Sequence, residues 1–357
     1  MKFSYWLLLF FMLPCFVLAG EWNYNIEGGA QALYGYSDLK KHHNGVGKGY
    51  IDTDINYSFN DTTSLSLYFS LMAGINRDLQ NYNQGRWGEE VYTVFDSRHG
   101  QIMVGQIFNV ASLFHNGVGQ VGALGSNNDV ADFISNPNWL RTAKKTKFAT
   151  LNSTDINTDG VAPKFNYISP EFYGTAIGFS FVPDSYNRRG LINKHANYSS
   201  DKGLVGAIYN DHDWGLFSSQ TSVGYAQFHD NDKEFSYSLK LSRGNWSIGG
   251  GFRKTYVEGE DRINQNKDLL SDFDGYREGQ AWNIGLNYEI GPFSSSLSYF
   301  ESQSDLYKNS DKIVAFSNQY SFNKNIDIYV AAAHVNFKAE DECKRGYTMI
   351  TGLGVKF

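Results

Sequence analysis

The last eleven residues of the chain, Y-T-M-I-T-G-L-G-V-K-F, follow a period-two pattern. Tyr347, Met349, Leu353, Val355 and Phe357 fall on one side of it. Successive side chains of a β-strand point to opposite faces, so a strand with one apolar face is expected here, ending in an aromatic ring. A soluble domain would have no room behind such a strand. We therefore interpret it as the closing strand of a membrane β-barrel.

The first residues are typical of an export signal. Lys2 precedes an apolar run from Trp6 to Leu18, and V-L-A at 17–19 offers a cleavage site. A helical membrane anchor is the alternative, but the run has about 13 residues and a helical span needs about 20. We predict a signal peptide at residues 1–19 and one barrel domain at residues 20–357.

The composition agrees with strands rather than helices in a membrane. After the signal, no stretch is apolar for long enough to cross a bilayer as a helix, yet 16% of the residues are aromatic. Alternating strands hide their apolar residues in every second position, which keeps the mean hydropathy at -0.41. Removing Lys2 from the 31 Lys and Arg leaves 30 against 37 Asp and Glu. The resulting net charge, about -7, argues against nucleic acid as a partner.

Segments of about ten residues with alternating character recur along the chain, which is the signature of an outer-membrane barrel. In one of them Ile51 and Ile55 alternate with Asp52 and Asp54. Counting predicts sixteen strands and an all-β, transmembrane, antiparallel barrel whose lumen is aqueous. The predicted strands are 22–36, 50–59, 64–73, 90–96, 101–108, 164–168, 175–182, 203–209 and 215–228, with seven more from residue 235 to the end.

Short and long connections alternate between these segments. The short turns, at 60–64, 243–245, 291–293 and 323–325, are expected on the periplasmic side together with both termini. The longer polar loops are then extracellular.

One connection is much longer than the others. About 54 residues separate Phe108 from Pro163 without sustained alternation, far beyond the usual loop length. Apolar residues such as Val121, Phe133 and Trp139 make it too hydrophobic for a disordered segment. We predict that this third loop, residues 108–163, folds into the lumen against the inner wall.

The order of these parts resembles the Gram-negative general porin family, in which a long third loop follows the fifth of sixteen strands. The segment A-P-K-F-N-Y-I-S-P-E-F-Y-G-T-A-I-G-F-S-F-V-P at 162–183 is similar to that family's sixth strand, turn and seventh strand. The last strand, with Tyr347 and the final Phe357, resembles its assembly signal. The likeness covers essentially the whole mature chain.

The resemblance implies a homotrimer in the outer membrane, surrounded by its lipid and inserted by the barrel-assembly machinery. Each barrel would let ions and small hydrophilic solutes diffuse passively, and no cofactor is implied. Subunits would meet near the first and last strands, where small residues are expected on the lipid side. These are Gly28, Ala30, Ala32, Ala331 and Ala333.

The charges depart from the family pattern, in which a basic cluster on the early strands faces acidic residues of the third loop. Here Glu27, Asp52 and Asp54 take the inward positions of the early strands, and Gly105-Gln106 stands where many members have Gly-Arg. The third loop carries charges of both signs, at Asp129, Asp132, Arg141, Lys144, Lys145 and Lys147. These departures imply that the family's transverse field is reversed or relocated in this chain.

Charged side chains facing water in a lumen cost little, whereas lysine or arginine facing lipid costs about 2 to 4 kcal/mol at the midplane. The inward candidates for pore lining are Glu27, Asp52, Asp54, Lys164, Lys240, Arg253, Arg277 and Glu289. Each of them is equally compatible with a solvated wall. The specific hypothesis is that Asp52 and Asp54 face Lys144 and Lys145 across the narrowest section and filter solutes by charge.

A further motif is compatible with calcium. Asp155-x-Asn157-x-Asp159-Gly160 matches the opening half of a calcium loop, but its twelfth position is Asn166 rather than a bidentate glutamate. A polar turn is the competing interpretation. The eight histidines include no His-x-x-x-His pair, so metal catalysis has little support.

The sequence thus favours a water-filled channel with a weak preference for cations. A substrate-specific channel is the alternative and would show conductance that saturates with one solute. An outer-membrane enzyme is a third possibility, although such enzymes resemble smaller barrels with a filled interior.

Overall fold

A computed structural model describes residues 20–38, 42–76, 88–117, 133, 150–184, 202–228, 232–256, 278–305, 308–339 and 342–357. Most of these residues belong to sixteen β-strands, which confirms the predicted number. The strands are β1 Glu21–Ser37, β2 His42–Asn60, β3 Thr63–Asn76, β4 Gly88–Ser97, β5 Gly100–Gln106, β6 Pro163–Ile168, β7 Thr175–Val182, β8 Gly203–Asp213, β9 Ser218–Phe228, β10 Asp232–Arg243, β11 Trp246–Tyr256, β12 Gly279–Ile290, β13 Phe293–Ser304, β14 Ser310–Asn323, β15 Ile326–Ala339 and β16 Glu342–Lys356.

The strands form one closed antiparallel barrel, as predicted. Each strand pairs with the next along the chain, and β1 pairs with β16, where Ala30 lies opposite Val355. Phe357 extends this seam, because its N–H donates to Gly28 O over 2.9 Å and its C=O accepts from Gly28 N over 3.1 Å. Closure gives the edge strands main-chain partners, which a sheet in hydrocarbon requires.

The strand register fixes the size of the barrel. Starting at Glu21 on β1 and following the paired residues from strand to strand around the sheet leads to Lys344 on β16. Lys344 lies a few residues before Thr348, which pairs with Ser37 of β1. The closing position on β1 is therefore offset along the strand from the starting position. The barrel therefore closes with a shear of about 20 residues. With about 3.3 Å per residue and 4.8 Å between strands, the strands tilt by about 40° and the backbone lies about 16 Å from the axis. That radius leaves room for an aqueous lumen.

Alternate residues of each strand face outward and inward. In β10, Phe235 and Tyr237 are each 38% exposed, whereas Ser236 and Ser238 are fully buried on the inner face. Apolar side chains on the outer face suit a surrounding of hydrocarbon, so their exposure to lipid carries no penalty. The predicted alternation is confirmed.

One expectation about the outer face is wrong. Ala331 and Ala333 are buried, in phase with Asp327 and Tyr329 on the inner face of β15, and Ala332 is the exposed alanine between them. Small apolar residues follow one another in this segment without alternating with polar ones, so the sequence did not show which of them face inward and which face outward.

The four turns that were predicted to be short lie together, at the end of the barrel where β1 begins and β16 ends. Two-residue turns join β10 to β11 and β12 to β13, and they use Gly244 at φ 55° and Gly291 at φ 54°. Glycine adopts this left-handed conformation without a steric penalty, so these turns can be as short as the sequence predicted.

The third loop begins with a one-turn helix, Val110–Leu113, whose N-cap Asn109 accepts from Ser112 N. No helix in the described part of the chain is long and apolar enough to cross a membrane.

Candidate functional site

A row of carboxylates runs across the inner face of the first four strands. Glu27 on β1 lies opposite Asp52 on β2, and Asp52 lies opposite Ser70 on β3. The Ser70 hydroxyl donates to Asp52 Oδ1 over 2.5 Å. Glu90 on β4 continues the row opposite Ser70. The row therefore gives this sector of the wall a concentrated negative charge.

Asp54 begins a second, parallel row. Tyr68 lies opposite it on β3, and Tyr92 lies opposite Tyr68 on β4. The two tyrosine rings stack with centroids 4.9 Å apart and planes 12° apart. A flat aromatic surface thus lies beside the carboxylates.

The other predicted pore residues are distributed differently. Lys240 points inward from β10 and is partly exposed, and Glu289 near the end of β12 is exposed. The remaining predicted charges lie outside the described residues: Asp129, Asp132, Arg141, Lys144, Lys145, Lys147 and Arg277.

Lys164 joins the two ends of the third loop. Its Nζ lies 2.7 Å from Asp159 Oδ2 and donates to the carbonyls of Ile107 and Gly160 over 2.6 and 2.7 Å. Asn109 Nδ2 donates to the other Asp159 oxygen over 2.6 Å. Neither the lysine nor the aspartate side chain is exposed, so Lys164 lies beneath the loop rather than on an open lumen surface.

Arg253 binds the returning part of the loop to the wall. It projects from β11 and forms an ion pair with Glu234 of β10, with 2.7 Å between Nη2 and Oε2. The same guanidinium donates to Asn157 Oδ1 over 2.8 Å and to Thr158 Oγ1 over 2.6 Å. We call these four residues the wall anchor. Arg253 is only 2% exposed, so it too is covered by the loop.

The oxygens of the calcium-like motif are used in these contacts. Asp155 Oδ2 accepts from Ser112 Oγ over 2.7 Å, Asn157 Oδ1 accepts from Arg253, and Asp159 pairs with Lys164. Two of the three candidate ligand residues thus bind protein cations. Among the described residues, no group of three or more His, Cys, Asp or Glu side chains could hold a metal ion.

The outgoing part of the loop lies on the same inner face. Val110 N donates to Ser180 Oγ of β7 over 2.9 Å, and Asn116 N donates to Ser238 Oγ of β10 over 3.1 Å. Gly178 of β7 makes the close approach possible, because a Cβ there would lie 2.7 Å from Val110 Cβ. A glycine at an inward-facing position of the barrel wall therefore allows the loop to contact the wall closely here.

Two contacts extend across the lumen to distant strands. Thr150 Oγ1 donates to Asp311 Oδ2 of β14 over 2.6 Å. Phe133 is 2% exposed and lies over Gly35 of β1, where a Cβ would be 2.5 Å from its ring. The described parts of the loop thus contact the wall from β7 around to β1.

His115 links the outgoing and returning parts. Its Nε2 lies 2.9 Å from Thr154 Oγ1, and the ring sits over Gly251 of β11. Burial lowers the pKa of His115 below its usual 6.5, and the positive charge of Arg253 acts in the same direction. The negative charge of Asp155 opposes both effects. The neutral ring is therefore the form that fits this position.

The residues assigned to the assembly signal both face outward. Phe357 is 72% exposed and its ring lies over Gly28, where a Cβ would be 2.4 Å from it. Tyr347 is 61% exposed and packs on His334, with ring centroids 4.8 Å apart.

A family model described as Gram-negative porin matches residues 7–340, which is most of the chain. The chain belongs to the Gram-negative porin family. No curated protein sequence matches this porin.

Solved structures share its fold at low sequence identity. The anion-selective porin from Comamonas acidovorans is 12% identical and matches with a TM-score of 0.58, over 94% of this porin and 100% of that chain. OmpF of Salmonella typhi, in a complex with daunomycin, is 12% identical with a TM-score of 0.61, over 94% and 97% of the two chains. The trimer form of OmpT, an outer membrane protein of Vibrio cholerae, is 10% identical with a TM-score of 0.57, over 94% and 99%.

The family and the fold place this porin in the cell outer membrane, as predicted. They also indicate a channel rather than an enzyme.

Several residues of the site were not singled out from the sequence. Tyr68 had the inward phase of its strand, but its stacking on Tyr92 depends on the register of β3 against β4. Glu234 and Asn109 carry no local signal, because their partners Arg253 and Asp159 are distant in sequence. Glu90 follows Glu89, and a pair of adjacent glutamates does not show which one faces inward.

Proposed function

We propose that this porin forms a water-filled channel through which ions and small hydrophilic solutes diffuse passively, with a weak preference for cations. The observation that supports the cation preference most directly is the carboxylate row of Glu27, Asp52 and Glu90 on the inner wall. Fixed negative charges beside a water-filled path raise the local concentration of cations and exclude anions. In this proposal the lumen is the path for ions and solutes, and the carboxylates of the wall favour cations.

The experiment is a reversal potential across a KCl gradient in planar bilayers. We expect a cation-signed potential, moved toward zero when Asp52→Asn and Asp54→Asn are combined. Asp61→Asn, in the exposed turn after β2, is a control because it makes the same Asp-to-Asn replacement, at one position, away from the carboxylate row. An unchanged potential in the double variant would sink the assignment of these carboxylates to the filter.

The basic group of the third loop is the second half of the filter in this proposal. Lys144 and Lys145 would face Asp52 and Asp54 and create a field across the passage. Replacing both lysines with glutamine should strengthen the cation preference. An unchanged preference in that variant would place the lysines outside the conducting path.

A substrate-specific channel is supported by one observation, the stacked rings of Tyr68 and Tyr92 beside Asp54. Aromatic faces bind cations and flat solutes, so such a surface could hold one class of solute. Conductance that saturates with an organic cation, and recovers in Tyr68→Leu, would favour this function. Linear conductance with every solute would favour general diffusion.

The assembly of the porin is proposed on similar grounds. A homotrimer is supported by the similar structure of Vibrio cholerae OmpT, which is a trimer form. The barrels would meet through lipid-side surface near β1 and β16. Residues 1–19, outside the described part, would act as the signal peptide. Tyr347 and Phe357 would be recognised by the barrel-assembly machinery, and outer-membrane lipid would surround the apolar face. A monomer-sized complex in mild detergent would refute the trimer.

A further inference from the structure

We propose that Arg253 is a positioning residue that sets the width of the passage by fixing residues 153–158 of the third loop to the wall. This inference rests on the proposed channel function and goes further by naming the contact that decides how much of the lumen the loop fills. The contact is the wall anchor, formed by Arg253 and Glu234 on the wall and Asn157 and Thr158 on the loop.

The place of Arg253 in the barrel gives it this influence. The loop leaves the wall after β5 and rejoins it at β6, whereas Arg253 projects from β11. Five strand spacings of about 4.8 Å separate β6 from β11, so the strand that carries Arg253 lies about 24 Å along the sheet from the strand that carries Lys164. Lys164 holds the ends of the loop together at the base. The anchor, in contrast, decides where the returning part lies across the lumen.

The guanidinium has the geometry for this task. Its Nε and Nη2 both donate to Glu234 Oε2, over 3.0 and 2.7 Å, which fixes the plane of the group. The remaining donors then point at the loop, where Nη1 reaches Asn157 Oδ1 and Nη2 reaches Thr158 Oγ1. Ser153 Oγ also lies 3.3 Å from Nη1. A planar fork that is always charged makes these contacts together, and a lysine ammonium would not reproduce them.

The anchor is also shielded from solvent. The side chains of Arg253 and Glu234 are each 3% exposed. Salt screens buried pairs much less than exposed ones, so the loop should keep its position across a wide range of ionic strength.

The test must separate the loop contacts from the ion pair within the wall, because removing Arg253 leaves Glu234 buried without a partner. Asn157→Ala combined with Thr158→Val removes only the loop side of the anchor. Thr221→Val, on the outward face of β9, is the matched control. The readouts are single-channel conductance, uptake of sugars of increasing size into liposomes, and hydrogen exchange of the amides at 150–162.

We expect the loop-side double variant to conduct about twofold more than the wild type, because conductance follows the width of the narrowest section. It should also admit larger sugars and exchange faster at 153–158, and Arg253→Lys should behave in the same way. The control should match the wild type.

Unchanged conductance and exchange in the double variant, beside a conducting wild type, would overturn this inference alone. Wild-type behaviour of Arg253→Lys would also overturn it, because the fork would then be unnecessary. A wild type that does not conduct would overturn the channel and the inference together.

Discussion

Asp159 and Lys164 form an ion pair with 2.7 Å between Oδ2 and Nζ, and neither side chain is exposed to solvent. The pair holds the last residues of the third loop against the start of β6. Removing one member of a buried pair leaves an uncompensated charge and costs about 3 to 5 kcal/mol. Lys164→Met leaves Asp159 without this partner, so we expect it to destabilise this part of the loop and to speed the hydrogen exchange of the amides at residues 150–162.

The double variant Asp159→Asn with Lys164→Met is the control for this prediction. It removes both charges, so it should exchange more slowly than Lys164→Met alone. Equal exchange in the two variants would show that the unpaired carboxylate is not the cause.

The second prediction concerns pH and His115. Its pKa is lowered in the folded porin, so the proton binds more tightly when the loop is detached than when it is docked. Docking is therefore at full strength above the usual value of 6.5 and weakens as the pH falls below it. We expect open-channel noise to increase as the pH falls below about 6.5.

The matched variant for this pH dependence is His115→Gln. Its amide can bond Thr154 but does not titrate, so its noise should be nearly independent of pH in that range. If His115→Gln keeps the wild-type pH profile, a group other than His115 is responsible for it.

The third prediction uses the space over Gly251. A Cβ at this position would lie 2.6 Å from Thr154 Oγ1 and 2.8 Å from His115 Nε2. Both atoms belong to the third loop, so Gly251→Val should push the loop off the wall and change the single-channel conductance. Gly206→Ala is the control, because a Cβ there has no atom within 4 Å. A wild-type conductance in Gly251→Val would mean that the loop can shift without changing the passage.

The fourth prediction concerns assembly. Phe357 and Phe322 both expose their rings on the outer face of the barrel, at 72% and 65%, so replacing either one with serine should change the stability of the finished barrel by a similar amount. We expect Phe357→Ser alone to cause a large loss of folded porin in the outer membrane, measured by heat-modifiable mobility in gels. Phe322→Ser is a matched control, since Phe322 is 65% exposed outside the final strand. Equal losses in both variants would argue against a specific terminal signal.

The strands were predictable because lipid and lumen impose a period of two on the residues between them. The pattern failed where that contrast is absent. β2 begins at His42. The prediction began this strand at Tyr50, because the polar run from His42 to Lys48 has no hydrophobic alternation. The phase of Ala331 and Ala333 was misread for a similar reason.

The site was harder to predict because it depends on contacts between distant parts of the chain. The inward phase of Lys164 and Arg253 was visible in the sequence, but it did not show that the third loop covers these two side chains. Asn157 is 96 positions from Arg253, and no local pattern connects them. The pairing of Tyr68 with Tyr92 likewise required the register between strands.

The seam between β1 and β16 also determines when the barrel can finish folding. Gly28 bonds Phe357, so contacts that close the structure join opposite ends of the polypeptide. Such high contact order makes folding slow and leaves strand edges unpaired until the last residues have been synthesised and delivered. The chain must therefore travel to its membrane unfolded without aggregating. After residue 19 the sequence has no long apolar run. This lowers the risk of aggregation before insertion and also suits the strands of the final barrel.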